Sequence, residues 1–519
     1  MTYPTTEVVL CRDVPLDNSY DHQLTFASQQ AQAAYFYSKA YKTLQNNTYQ
    51  RVMMDKLRIQ CSIAEAMACN YLFFSNNSHD NKTIYAFITG WEYVNEVTTE
   101  ITYEIDPFQT FWFDLDIKSA FVEREHSNTD VIGENTIPEN LEAGEYKVIG
   151  SNELAPYTST GLVSYTPCCV FWCTFDQNFQ PFTGSLYSSV FSGLYPHICT
   201  TVSEVQTFMT NAMNAEGGLA GIVAGFMCPW TPLPVQDYPL ARTIQWQRQI
   251  TKQYISIDGY VPKNNKLFTA PYYVLRIRND ADMAEYKFEW FNGDTCDFNL
   301  QGIMIPEPTL TVYPTNYLSA NTMNRIDLRQ TSSKYPQVGL AEDAYKVFIA
   351  QNSSSIYTQF LGRTAETAVN MVKNVFTGNA GGSLSELTGY MVQNQNTLAQ
   401  KEDMKFRPTQ LSGAQTAATD YSLGAKRFYA DFLSIKAEYA RIIDDFFTMY
   451  GYATHRVKVP NITGRPYWNY VKTQGIVLDV ANAPQMYVKK IIDCFDRGIT
   501  FWHNPANVGN YSLDNSPQI

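Results

Sequence analysis

Residues 85–117 contain Tyr85-Ala-Phe-Ile-Thr, then Asn95-Glu96, then Ile101-Thr-Tyr-Glu-Ile, and finally Phe111-Trp-Phe-Asp-Leu-Asp-Ile. In each longer run large and small or apolar and polar residues alternate, the period of a strand with two differently filled faces. Asn95-Glu96 supplies a turn between the first two runs. Strands this close in sequence pair antiparallel, because longer crossovers are needed to make them parallel. The run from Phe111 reads as a third strand, which would set Asp114 and Asp116 on one face.

Outward from this stretch, Val163–Phe182, Tyr254–Phe298 and Thr309–Leu328 have the same strand character, while residues 127–156 read as an acidic, turn-rich surface excursion. Helices are fewer. Val205, Phe208, Met209 and Met213 recur at helical spacing within Val202–Ala215. Phe428, Phe432, Ile435, Tyr439, Ile442 and Phe446 predict a long amphipathic helix capped by Gly451, and His455–Val459 a strand after it. Pro484 opens a last helix carrying Tyr487, Ile491, Ile492 and Phe495, with Gly498 at its end. Tyr, Phe and Trp make up 14% of the chain, a composition suited to pleated, half-buried surfaces. The fold class is therefore mainly β with α (α+β), and 519 residues are enough for several domains.

Composition narrows the function. With 38 Lys and Arg against 50 Asp and Glu, the net charge is −12. That balance does not suit a protein whose task is to grip phosphates, which needs clustered cations. The ten cysteines show no paired CxxC knuckles and no secretory context, so neither a zinc site nor a disulfide framework is expected, only buried reduced thiols. The first twenty residues carry Glu7, Arg12, Asp13 and Asp17 and no long apolar core, unlike a signal peptide. The most lipid-like stretch, Leu219–Trp230, is about a dozen residues broken by Pro229, short of the roughly 20 that span a bilayer as a helix. A protein soluble as made is the expectation.

One segment differs in texture. Ile349–Gln400 holds only four charged residues, Arg363, Glu366, Lys373 and Glu386. Within it Leu361, Ala365, Ala368, Val369, Val372 and Phe376 form one stripe at helical spacing. After Gly378, Gly381 and Gly382, a weaker stripe begins with Leu384, Leu387 and Met391. Such a stripe packs on the protein's own core or faces another apolar medium.

The search for chemistry finds little. No phosphate loop, GxSxG or HExxH occurs. Glu123-Arg124-Glu125-His126 is the densest polar string; on a strand Glu123 and Glu125 would share one face and Arg124 and His126 the other. A subunit contact or a strand end needs the same residues as an acid-base site. Asp114 and Asp116 could hold a cation or hydrolyse a glycoside, yet two acids on a solvated strand face are commoner. Cys173 with His197 is the conceivable thiol pair, without local support. No catalytic residue, metal or cofactor is expected.

Several stretches, in order, carry a resemblance. They are Val14-Pro-Leu-Asp-Asn-Ser-Tyr, Tyr93-Val-Asn, Glu104-Ile-Asp-Pro-Phe-Gln-Thr-Phe and Phe121-Val-Glu-Arg-Glu-His. Next come Ala270-Pro-Tyr-Tyr, Tyr335-Pro-Gln and Tyr345-Lys-Val-Phe-Ile-Ala-Gln-Asn. Tyr450-Gly-Tyr, Arg465-Pro-Tyr-Trp-Asn-Tyr-Val-Lys and Gly498-Ile-Thr-Phe-Trp-His close the series. In these the chain resembles the tail-knob, or distal tube, proteins of small short-tailed phages of Gram-positive bacteria.

The resemblance implies tail-tube-like β-barrel domains in a homohexameric ring at the far end of the tail, in contact with other tail proteins. Its lumen would conduct phage DNA without tight binding, with Asp114 and Asp116 as lumen-facing acids. A long insert, about Ser353–Tyr421, would plug the lumen and then enter the host cell membrane. The implied regions are a tube-like β region 1–126, a middle accessory region 127–250, a second β region 251–350, the insert 351–421 and a helix–strand–helix region 422–519. The protein would be made in the host cytoplasm and reside in the virion. A receptor-binding adhesin and, behind it, a cell-wall hydrolase are the alternatives.

Overall fold

The computed structural model describes residues 6–45, 55–76, 82–154, 157–158, 161–162, 168–187, 190–215, 221–228, 244–303, 309–318, 328–332, 335, 340–342, 410–412, 427–480 and 483–517. They form two compact units. Unit 1 comprises residues 1–145, 256–272 and 435–519, and unit 2 comprises residues 146–255 and 273–434.

Unit 1 opens with β1 (Thr6–Cys11), β2 (His22–Leu24), α1 (Gln29–Ser38), β3 (Ala40–Leu44), β4 (Lys56–Ile59) and a short α2 (Ile63–Met67). Then follow β5 (Tyr71–Asn76), β6 (Thr83–Asn95) and β7 (Thr98–Ile105). Six of these strands make one antiparallel sheet in the order β3-β1-β5-β6-β7-β4. Its alternation fills both faces with apolar side chains. Val9, Cys11, Tyr71, Phe73, Tyr85 and Phe87 enter one core, while Val8, Leu10, Leu72, Phe74, Ala86 and Ile88 enter another. Phe36 of α1 closes the first, with ring centroids 5.2 Å from Tyr71 and 4.6 Å from Tyr85. At roughly 1.5–3 kcal/mol per fully buried large apolar side chain, the two faces dominate the sheet's stability.

The run from Phe111 corrects the sequence expectation. Asp106 caps α3 (Pro107–Phe111) by accepting from the Phe108 and Gln109 amides, with Pro107 at the first helical position. Trp112–Asp114 continues as a 3₁₀ turn, leaving only β8 (Leu115–Ile117) extended. An Asp-Pro helix start overrides an aromatic pattern that favours a strand. β9 (Ala120–Glu125) follows.

In unit 2, β10 (Tyr146–Glu153) precedes a small hairpin, β11 (Tyr157–Thr158) with β12 (Gly161–Leu162). The chain then forms β13 (Cys168–Cys173), a second hairpin of β14 (Ser185–Tyr187) with β15 (Val190–Ser192), β16 (Tyr195–Cys199) and α4 (Val202–Asn214). β17 (Ile222–Cys228), β18 (Ile244–Thr251), β19 (Tyr273–Arg278), β20 (Met283–Tyr286), β21 (Thr295–Ile303), β22 (Thr309–Pro314) and β23 (Gln330–Thr331) follow. The last are β24 (Leu340–Glu342), β25 (Gln410–Ser412) and β26 (Tyr429–Ile435). The main sheets have orders β10-β26-β19-β20, β16-β13-β17 and β18-β21-β22-β23. Every residue of β13 is buried, and the strand is central in its sheet. Nine of the ten cysteines, all but Cys228 of β17, are free and buried.

The chain returns to unit 1 with α5 (Ala437–Tyr450), β27 (Tyr452–Lys458), β28 (Trp468–Gln474), β29 (Leu478–Val480), α6 (Gln485–Arg497) and β30 (Ile499–Trp502). Here the expected helix through Phe428–Phe446 is overturned in its first half. Tyr429–Ile435 is strand β26, buried at six of its seven residues, between β10 and β19. A strand covered on both faces reads as a continuous apolar run, which helical spacing mimics. In α5 the inward face is Ala440, Ile443, Asp444, Phe447 and Thr448, one step away from the expected stripe, and Ile442 is 68% exposed. The predicted Gly451 cap, the helix after Pro484 and the Gly498 stop are all present. The mainly β, multi-domain α+β class holds.

Candidate functional site

Four of the strings that carried the resemblance meet in one sheet of unit 1, in the order β2-β30-β28-β9-β27. β9 bears Phe121–Glu125, β27 begins at Tyr452, β28 bears Trp468–Lys472, and β30 bears Ile499–Trp502. Gly451 turns α5 into this sheet at φ 64°, ψ −152°, a region open essentially to glycine alone. A Cβ there would lie 2.2 Å from the Glu125 carbonyl oxygen.

The Glu123–His126 string is fully engaged. Glu123 accepts from Lys472 at 2.8 Å, and Glu125 pairs with Lys458 and accepts from the Asn461 amide at 2.8 Å. Arg124 donates to the Gly451 carbonyl at 2.7 Å, pairs with Glu139 and lies 4.7 Å from the Phe446 ring centroid. Glu139 also pairs with Lys266 and accepts from the Ala453 amide, and its side chain is 2% exposed. The excursion over 127–156 is thus partly interior, because Glu139 is needed between the half-buried Arg124 and the buried Lys266.

His126 is buried among polar partners. Its Nδ1 accepts from the Tyr470 amide at 2.8 Å, which fixes Nε2 as the protonated nitrogen, 3.1 Å from the Thr448 carbonyl. Burial, aided by Arg465 and Arg124, pushes this histidine down to about 3. Below the string, Asp444 accepts from the Tyr260 hydroxyl at 2.6 Å and from the Lys263 and Asn264 amides at 2.7 and 3.0 Å. His503 bridges Thr25 at 2.6 Å and Asn469 at 2.9 Å. With both ring nitrogens engaged, neutral His126 has no lone pair left for a cation and no free proton to shuttle. This cluster clamps distant chain segments together.

The other candidates are not assembled. Asp114 lies in the 3₁₀ turn and Asp116 on β8, so the expected shared strand face does not form. Lys82 donates to Asp114 at 2.6 Å, and Lys118 pairs with Asp116. Cys173 stands opposite Tyr195, whereas His197 stands opposite Phe171. Burial drives the Cys173 thiol well above its ordinary value and lowers His197, the reverse of a thiolate–imidazolium pair. Leu361, Ala365, Ala368, Val369, Val372, Phe376, Leu384, Leu387 and Met391 lie outside the described residues. They fall within residues 343–409, between β24 and β25 in sequence. These two strands pair antiparallel, with Leu340 opposite Ser412 and Glu342 opposite Gln410. Among the described residues no helix is long and apolar enough to cross a membrane, which leaves strands untouched.

Sequence reasoning did not single out Glu139, Lys266 and Asp444. The signal available was weak: isolated charges flanked by apolar or turn residues.

Comparison with known proteins finds phage tail-protein families at both ends of the chain. The profile for the C-terminal domain of tail knob protein gp9 of Bacillus phage phi29 matches residues 237–516, more than half of the chain. The profile for the N-terminus of caudoviral major tail proteins matches residues 4–116, the six-stranded sheet and α3. Tail knob protein gp9 of Bacillus phage B103 is 26% identical over an alignment of 591 residues covering 98% of each chain. Its counterpart from Bacillus phage phi29 is 25% identical with the same coverage. In fold, the chain is similar to the tail knob protein gp12 of bacteriophage C1, with a TM-score of 0.66 at 13% identity over 98% of this chain and 99% of that one. The relatives are structural tail proteins and not enzymes, in keeping with a polar cluster that has no free reactive group. The chain belongs to the phage tail knob protein family, as a structural component of the virion.

Proposed function

We propose that six copies close into a ring at the tail tip, forming a tube that conducts DNA, and that the insert plugs this tube and then enters the host membrane. The observation that carries the reading is the texture of Ile349–Gln400, four charged residues in a chain whose charged fraction is 17%. A segment so poor in charge can be kept from water inside a tube, and released, can enter lipid without burying many ions. β24 and β25, which bracket it in sequence, pair with each other in a sheet of two strands and not with the larger sheets of unit 2.

Ring closure would join edge strands of neighbouring copies and leave no unpaired edge. The acid excess, with Asp114 and Asp116 proposed to face the lumen, would keep phosphates from adhering to the wall. Assembly would take place in the host cytoplasm, against other tail proteins.

Dye release from liposomes tests the membrane step. Val372→Asp combined with Phe376→Asp is expected to leave folding and ring assembly intact while dye release falls. A variant that unfolds, or one that folds and still releases dye at the wild-type rate, contradicts the membrane assignment.

A further inference from the structure

Unit 2 carries a cleft of about 500 Å³. It lies where edge strand β16, helix α4 and the turn over 176–180 meet. Its size is that of a small-ligand site.

The floor is aromatic. His197 lies with its ring centroid 5.0 Å from Tyr195, 4.8 Å from Phe208 and 6.3 Å from Phe179. Phe179 stacks on Phe175 at 4.9 Å and 21°. Phe179 is held at φ 58°, a backbone region that bulky residues rarely adopt. The turn that imposes this is tightly tied. Asp176 Oδ1 accepts from the Asn178 and Gln180 amides at 2.8 and 3.0 Å, and the Phe179 amide donates to the Asp176 carbonyl at 3.0 Å. Strain of this kind, holding an aromatic ring over a cleft, is typical of ligand clamps.

The rim is polar and almost uncharged. Gln177, Thr207 and Asn211 line it with exposed side chains, and among the described lining residues there is no lysine or arginine. The single carboxylate, Glu204, is engaged in capping α4: its Oε2 accepts from the Thr200 amide at 2.6 Å and hydroxyl at 3.0 Å. The His197 Nε2 lies 3.3 Å from the Phe175 carbonyl, and burial favours the neutral ring. An anionic ligand finds no counter-charge here. Aromatic faces beneath amide and hydroxyl groups match a pyranose, whose C–H face is apolar and whose edge carries hydroxyls.

We infer that this cleft binds a neutral saccharide. The acetamido group of an N-acetylhexosamine suits the side-chain amides of Gln177 and Asn211 in particular. The inference rests on the lining of the cleft alone and not on the conduit reading.

Ligand-observed NMR on the full chain, with an N-acetylglucosamine tetramer and a tri(glycerol phosphate) as probes, tests it. The tetramer is expected to bind saturably and the phosphate oligomer not at all. Phe179→Ala should weaken the tetramer at least tenfold. Thr207→Trp, at an exposed helix position, should fill the cleft and abolish binding with the fold retained, which decides the matter should Phe179→Ala fail to fold. No saturable binding of the tetramer, binding unchanged in a folded variant, or a preference for the phosphate oligomer would each overturn the assignment.

Discussion

Two histidines on two sheets separate structure from capacity. His126, at the end of β9, has both ring nitrogens engaged by backbone groups, Tyr470 on one side and Thr448 on the other. His197, on edge strand β16, has one nitrogen engaged and its ring faces packed among Tyr195, Phe208 and Phe179 beside an open cleft. The first stands among groups that have no function left to perform except holding the fold. The second belongs to a surface that can still accept a partner. Four of the sequence strings that carried the resemblance fall on the first kind of site.

The sharpest way to break that contrast is at Gly451. With ψ near −152° and the Glu125 carbonyl 2.2 Å from a built Cβ, Gly451→Ala forces the clamp open. Backbone strain plus the clash should cost about 3 kcal/mol or more, read as loss of folded protein or a large fall in the denaturation midpoint.

Removing the acid at the centre of the clamp comes next. Glu139→Ala strands Arg124 and the buried Lys266 without their shared partner, and the expected cost is about 3–5 kcal/mol by chemical denaturation. Glu139→Gln keeps two oxygen and nitrogen positions and should cost less, though it still leaves the cations uncompensated.

The third test uses pH. His126 is held near 3, below the ordinary value of 6.5, so the unfolded chain takes up its proton first as pH falls. Its contribution to stability is full above about 6.5 and is lost progressively as pH drops toward 3, at up to about 1.4 kcal/mol per pH unit. His126→Gln should be less stable at neutral pH and flatter across this window. An unchanged acid slope in the variant would show that the histidine does not carry this part of the pH dependence.

The smallest stability effect belongs to the cleft. Phe179→Ala removes a partly exposed ring and should change stability by no more than about 1 kcal/mol, against the several kcal/mol of the clamp. A large destabilisation would mean that the ring is core and not a platform.

Much of this was legible in the chain itself. The alternation at Tyr85–Thr89 and Ile101–Ile105, the Pro484 and Gly498 boundaries and the Gly451 cap are local signals, and each has a local cause in the structure. What misled was decided at a distance. Phe428–Ile435 carries a helical spacing but lies between two strands, which only tertiary pairing can dictate. Phe111–Ile117 looked extended because the capping role of Asp106, just upstream, outweighs its aromatic pattern. The polar string was visible as a cluster, but Glu139, Lys266 and Asp444, which make it inert, are far from it in sequence. The cleft was missed because its aromatic residues come from a turn, a strand and a helix.

On the function proposed above, the chain forms a DNA conduit closed by its own charge-poor insert. Cryo-electron microscopy of the tail tip before and after DNA release tests it most directly. The account predicts sixfold symmetry, with density for residues 353–421 inside the lumen before release and absent from it afterwards. Fivefold symmetry, or a lumen unobstructed by the insert before release, would contradict it.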